Sequence, residues 1–188
     1  MFEYEKKIML TKEEYLAIVS EAPKCVPLMP QTNYYFDDNN LSMNEKGITY
    51  RIREKEGAYK TTIKNHKAEH PDCSVEVDLG QKGEFDSSFF NMLGLCYKGN
   101  LVTERIVLYK DSCCEILVDK NDYLGYTDYE LEIEYSKGNE ESALMALENI
   151  AHYLVATGLT KCYDELVSRV GQSGSKSQRF FERLKICE

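Results

Sequence analysis

"FEYEKKIML" (residues 2–10) reads as a strand with two chemically different faces, Glu3, Glu5 and Lys7 on one and Phe2, Tyr4, Ile8 and Leu10 on the other. The same two-residue period recurs at 32–37, 48–53, 58–64, 73–79, 102–109, 114–119 and 129–135, giving eight candidate strands. Their charged or polar faces carry Arg51 and Arg53; Lys60, Thr62 and Lys64; Ser74, Glu76 and Asp78; Thr103 and Arg105; Glu115 and Asp119; and Glu130, Glu132 and Glu134. Opposite them lie Tyr50, Ile52, Ile63, Val75, Val77, Ile106, Leu108, Ile116, Val118, Leu131 and Ile133.

Eight amphipathic strands invite a closed barrel, and in the usual small barrel the apolar face fills the middle while the charges meet water. Two features oppose that arrangement here. The signs are segregated by strand, arginines on one and three glutamates on the last, whereas a merely solvated face intersperses them. Helices also need apolar strand faces to pack on, and with a single sheet that place is the outside. The expected fold is α+β, an eight-stranded antiparallel closed β-barrel, a tunnel with a charged lumen sheathed by helices.

The helices announce themselves by their caps and periods. Thr11 followed by Glu14 forms a capping-box pattern, and Pro23 stops that helix. A second helix is expected at about 85–93. A long one at 139–157 has Leu144, Leu147, Ile150, Ala151 and Leu154 on one face and ends at Gly158. After a short helix at 162–169, "GQSGSKSQ" (171–178) reads as a loop and "RFFERLKI" (179–186) as a final helix. No linker or repeat divides the chain, so residues 1–188 are read as one domain.

Composition narrows the function. A net charge of −9 over 188 residues argues against an extended nucleic-acid surface, which gains affinity by neutralising phosphates. No apolar run approaches the roughly 20 residues of a membrane span, and the acidic start shows no secretory signal, so a cytoplasmic location is expected. The seven cysteines are scattered without a CxxC pair, which fits free thiols.

A lumen of unpaired charges is costly unless hydrated, internally paired or filled by ligands of complementary charge. A polyanion together with a divalent cation meets both signs. Arg and Lys grip phosphate oxygens, and carboxylates on alternate residues, about 7 Å apart along a strand, suit Mg²⁺ or Mn²⁺.

The "EYEKK" at 3–7 fits ExExK and resembles the signature of the CYTH superfamily, the triphosphate tunnel metalloenzymes, which include class IV adenylate cyclases, thiamine triphosphatases and inorganic triphosphatases. The resemblance extends along the chain through "NYYFD" (33–37), "YRIR" (50–53), "TTIK" (61–64), "VEVD" (75–78), "TERIVLY" (103–109), "LVD" (117–119) and "YELEIE" (129–134). It implies that Glu3 and Glu5 bind metal with Glu130 and Glu132, Glu134 being an alternative to Glu130. It implies that Lys7, Arg51, Arg53, Lys64 and Arg105 grip phosphates, and that Glu76 and Asp119 help to hold metal or position water. Lys7 with Tyr35 matches a lysine–tyrosine pair of some members, and Lys176, with Lys161 in reserve, matches a lysine that closes over the substrate.

The expected activity is metal-dependent hydrolysis of inorganic tripolyphosphate or a small organic triphosphate such as thiamine triphosphate, at the terminal phosphate. The alternatives are an adenylate cyclase acting on ATP and a non-catalytic nucleotide- or polyphosphate-binding module. Glu115 and Lys60 read as solvated rim residues, His66 and His70 as loop residues without a cysteine at zinc-ligand spacing, and His152 as packed or exposed. Oligomeric state is open, a homodimer included.

Overall fold

The computed structural model describes residues 2–22, 29–66 and 73–187. Pro23 and His70 fall outside them, as does the side chain of Glu3. In chain order the elements are β1 (Phe2–Leu10), α1 (Lys12–Glu21), β2 (Met29–Asp37), α2 (Ser42–Glu45), β3 (Ile48–Lys55), β4 (Ala58–His66), β5 (Cys73–Lys82), α3 (Ser88–Met92), β6 (Cys96–Lys110), β7 (Cys114–Tyr123), β8 (Tyr126–Tyr135), α4 (Glu140–Ala156), α5 (Tyr163–Ser168) and α6 (Lys176–Cys187). The strands close into an antiparallel barrel in the order β1-β5-β4-β3-β2-β6-β7-β8. No helix among the described residues is long and apolar enough to cross a membrane.

Two hairpins set much of the register. Glu56-Gly57 and Leu124-Gly125 take positive φ at both positions (54° and 77°, 47° and 71°), the two-residue turn whose twist matches the flanking strands. β1 then lies antiparallel to β8 with Lys7 opposite Glu132 and Glu5 opposite Glu134. β2 begins earlier than the alternation predicts, Met29 to Gln31 pairing regularly with Arg105 to Thr103, and β6 begins at Cys96 because a bulge between Tyr35 and Phe36 skips Lys98 and carries the pairing on to Asp37.

The apolar faces point outward, as the inverted barrel requires. Ile8, Leu10, Val118, Leu131 and Ile133 pack beneath Tyr15 and Ile18 of α1, Ala143, Leu147, Ala151 and Leu154 of α4, and Leu166 of α5. Each fully buried aliphatic side chain there contributes roughly 1.5–3 kcal/mol. The predicted capping box forms, Thr11 and Glu14 exchanging hydrogen bonds. Glu14 also receives Arg169 at 2.7 and 3.0 Å and Thr160 at 2.8 Å, which ties α5 to α1.

The sheath is uneven. α3 and the turn after it bring Phe90 and Leu95 onto Phe36 and Ile52, while Val77 and Leu79 on the outer face of β5 remain 49% and 42% exposed. The predicted helix at 85–93 is shorter, and the final helix begins earlier, so Lys176 stands at its first residue instead of in a loop. α6 lies across one end of the barrel, its Phe180 and Phe181 against Tyr35, Leu41, Leu101 and Tyr123. Gly99 makes this possible: its φ is +136°, and a Cβ there would stand 2.8 Å from the Phe180 ring.

Candidate functional site

The lumen is charged. A cavity of about 80 Å³, room for a handful of waters, is lined by Glu5, Lys7, Gln31, Tyr35, Thr49, Arg51, Arg53, Lys64, His66, Arg105, Glu132, Glu134, Ser175, Lys176 and Ser177. It is narrow because ion pairs cross it. Register sets two of them directly, Lys7 opposite Glu132 and Arg105 opposite Asp119, and the others reach across to further strands or to α6.

Acids gather on the wall formed by β7, β8 and β1. Glu132 is their hub: it accepts from Lys7 at 3.1 Å, from Lys176 at 3.0 Å, and from Arg105. Glu5 meets Lys7 at 3.3 Å and Lys64 at 3.8 Å. Burial by itself would raise the Glu5 carboxyl, but the ammonium groups of Lys7, Lys64 and Lys176 hold it well below the usual range.

Two groups of three carboxylates have ligand atoms within 4.8 Å of one another: Glu5, Glu132 and Glu134, and Asp119, Glu130 and Glu132. They differ in how their charge is met. In the second, Lys176 contacts Asp119 at 2.8 Å and also Glu130 and Glu132; Arg105 forks onto Asp119 at 2.8 and 2.6 Å; and Arg179 reaches Glu130. In the first, Glu134 stands at the mouth, 3.6 Å from Arg105, and burial together with the charges of Glu132 and Glu5 pushes its carboxyl up to about 7. Lys7, Lys64, Lys176 and Arg105 approach this trio, but Glu134 itself meets only Arg105 among the described residues, a cation it shares with Glu132 and Asp119, and hard oxygen donors are the set that Mg²⁺ or Mn²⁺ takes.

Cations occupy the facing wall. Arg51 on β3 donates to Thr62 at 3.0 Å and to Glu76 at 2.5 Å. Arg53, two residues on, donates its Nε–H to Asn33 at 2.9 Å and meets no carboxylate among the described residues. Burial and the like charges of Arg51 and Arg105 lower its guanidinium to about 10.

The structure therefore brings Lys7, Arg51, Arg53, Lys64, Arg105, Lys176, Glu5, Glu132 and Glu134 into one cavity. Asp119 and Glu130, both 0% exposed, lie behind it under Lys176, so the acids expected to act together divide into two groups. Glu76 is tied to Arg51. Glu3 pairs through its backbone with Ser74, and its side chain is outside the described residues.

Tyr35 lines the cavity, yet its ring packs on Phe180 and Phe181 with centroids 4.9 and 5.9 Å away, and burial raises its phenol. Lys7 is held by Glu5 and Glu132, and no hydrogen bond joins it to Tyr35 among the described residues. Lys161 is exposed, away from the lumen, where its backbone N–H meets Glu165. His152 is exposed on α4 beside Glu148. Lys60 and Glu115 sit at the rim, paired with Asp78 (3.1 Å) and Lys110 (2.7 Å).

The lining residues Gln31, Thr49, His66, Ser175 and Ser177, and Arg179 behind them, are not among the predicted site residues. His66 belongs to β4 and not to a loop, on the same face as Lys64; its parity with Lys64 was the available signal, and burial followed by the Lys64 charge lowers its imidazole to about 4. Thr49 and Ser177 join at 2.7 Å and fasten α6 to β3. Arg179, bound to Asp128 at 2.9 Å and to Glu130, has no local signal because only the docking of α6 places it.

The family described as "CYTH domain" matches residues 1–163. YjbK of Bacillus subtilis (strain 168), named for an inferred triphosphatase activity, is 29% identical over 152 residues, 73% of this chain and 80% of its own. Among solved structures, a Bacillus halodurans protein named for an inferred adenylate cyclase activity superposes with a TM-score of 0.66 at 23% identity, covering 95% of this chain and 97% of that one. The Hippeastrum protein HpAC1, described as a cyclase by assignment that reveals a dominant triphosphatase activity, gives 0.64 at 14% identity over 96% and 95%.

Proposed function

The chain belongs to the CYTH domain family, and from that premise we propose that it is a metal-dependent hydrolase of a triphosphate, releasing the terminal phosphate inside the barrel. Arg53 is the observation that carries this reading: a guanidinium inside a charged cavity, without a carboxylate among the described residues, repelled by Arg51 and Arg105. Such a group is stabilised by an anion. The crowded trio Glu5, Glu132 and Glu134 a short way across the lumen is stabilised by a cation. A phosphate chain with a divalent metal supplies both, and the relatives' names point the same way.

In this reading Glu5, Glu132 and Glu134 hold Mg²⁺ or Mn²⁺, with Glu3 as a further ligand by its place in ExExK. The bound ion would neutralise phosphate oxygens and lower the pKa of attacking water. Arg51, Arg53, Lys64 and Lys7 grip the phosphates and oppose the negative charge on the transferred group. Arg105 braces Glu132 and Asp119. Asp119, Glu130 and Arg179 act one layer back, orienting Lys176. Glu76 fixes the plane of Arg51. Tyr35, with its raised phenol and packed ring, supports α6 in preference to taking a proton. Residues 1–188 serve as one domain, since α6 completes the lumen with Lys176.

Tripolyphosphate, thiamine triphosphate and ATP, each with Mg²⁺ and with Mn²⁺, test the proposal, with released phosphate and cyclic product both measured. Metal-dependent phosphate release, abolished in Glu132→Gln, is expected. Cyclic AMP as the main product from ATP would replace the hydrolase by a cyclase, and tight binding without turnover would leave a binding module.

A further inference from the structure

At the mouth opposite α6 the cavity opens into a hollow of about 750 Å³, and Gln31, Arg53 and Arg105 line both. Two bulges shape it. β6 and β7 pair Val107 with Leu117 and then Tyr109 with Ile116, so Leu108 is skipped and Lys110, beside Glu115, turns to the inner face. β4 and β5 pair Thr62 with Asp78 and then Thr61 with Gly80, which skips Leu79 and sets Gln81 opposite Lys60. Lys55 follows Arg53 on the inner face of β3, and Lys60 faces Arg53 across the hairpin.

The hollow thus collects five cations, Arg53, Lys55, Lys60, Arg105 and Lys110, against Glu56 and Glu115 among its described residues, in a chain of net charge −9. Arg105, Lys60 and Lys110 are paired with acids, whereas Arg53 and Lys55 have no ion-pair partner among the described residues, so two of the five positive charges remain uncompensated. None of the described residues lining it is aromatic. Tyr59 and Tyr109, next in sequence to Lys60 and Lys110, face outward, Tyr59 against Phe85 and Tyr109 donating to Asp111 at 2.8 Å. A nucleobase or thiamine ring would find nothing to stack on there, whereas tetrahedral phosphates would find ammonium, guanidinium and amide donors.

Resting on the hydrolase reading, we propose that this hollow is a second anion subsite and that the substrate is a linear inorganic polyphosphate longer than three phosphates. With α6 across the far end, the terminal phosphate enters first and the remaining chain trails over Arg53, Lys55, Lys60 and Lys110. The oxygen of water bonds to the terminal phosphorus, the bond from that phosphorus to the bridging oxygen breaks, and its electron pair stays on the shortened chain. Orthophosphate and a proton leave.

The test compares the wild type with Lys55→Gln/Lys110→Gln on tripolyphosphate, on linear polyphosphate of about 15 phosphates and on ATP, with Mg²⁺. Binding of the long chain to the metal-free protein is measured alongside by calorimetry. The wild type is expected to show a lower KM for the long chain than for tripolyphosphate or ATP. The double variant should raise KM and Kd for the long chain about tenfold, two solvent-exposed, salt-screened charge contacts being lost, and leave kcat/KM for tripolyphosphate within about twofold, the subsite lying beyond its reach. Equal losses on both phosphates, unchanged binding of the long chain, or a wild-type preference for ATP would overturn the subsite. If the wild type releases no phosphate from tripolyphosphate, the hydrolase reading falls instead, and the calorimetric comparison alone decides whether the hollow binds polyphosphate.

Discussion

Replacing Arg53 with Gln separates stability from function. In Arg53→Gln the amide nitrogen falls where the arginine Nε stands, so the 2.9 Å hydrogen bond to Asn33 is retained and only the charged end is lost. A guanidinium lowered from 12.5 to about 10 opposes folding in its charged form by roughly 3 kcal/mol, at about 1.4 kcal/mol per unit. Both values lie above neutrality, so the cost is fully present at pH 7. Taking half of it as relieved by water entering the cavity leaves a gain of about 1–2 kcal/mol, a rise in Tm of roughly 2–8 °C for a chain of this size. Catalysis moves the other way, since a lost charge-assisted hydrogen bond to phosphate costs about 1.5–3 kcal/mol, a fall in kcat/KM of roughly 10–150-fold. Differential scanning fluorimetry and phosphate release from tripolyphosphate with Mg²⁺ read the two arms. A lower Tm with unchanged turnover would show that Arg53 is a structural cation, and the argument for an anion in the lumen would be refuted.

Glu14→Gln should destabilise the protein by roughly 2–4 kcal/mol, somewhat under the buried-pair range because Arg169 is 27% exposed at its side chain. Burial works to raise the Glu14 carboxyl and is outweighed by hydrogen bonds from Arg169, Thr11 and Thr160, leaving it below its ordinary 4.5. Its contribution is therefore complete above pH 4.5 and lost as pH falls through the lower folded value. Melting curves should show the wild type losing more stability than the variant on acidification through that window; parallel slopes would contradict the assignment. Gly99→Ala, forcing a side chain onto a φ of +136° and 2.8 Å from Phe180, should cost about 2–3 kcal/mol and loosen α6. Limited proteolysis should then cut the C-terminal segment faster, and phosphate release should fall as Lys176 leaves the lumen. An unchanged digestion pattern would argue that α6 does not depend on that close approach.

Local pattern determined much of this protein. The alternation at 2–10, 48–53 and 129–135 set which side chains share a face, and sign segregation along those strands turned the barrel inside out, because a strand's period of two is a property of its own backbone. The capping box at Thr11 and Glu14 was legible for the same reason, and so was the apolar stripe of α4 apart from Leu144, which is exposed while Ala143 takes the buried place. Tertiary structure decided the rest. Register placed Lys7 on Glu132 and made Glu132 the member shared by two acid groups, with Glu5 and Glu134 on one side and Asp119 and Glu130 on the other. Bulges at Leu79 and Leu108 reversed the parity that would have sent Gln81 and Lys110 outward. The docking of α6 carried Lys176 and Arg179 under the acids. Each of these depends on which distant strand or helix lies alongside, and the free energy that selects it comes from contacts across the barrel, so no window of neighbouring residues contains it.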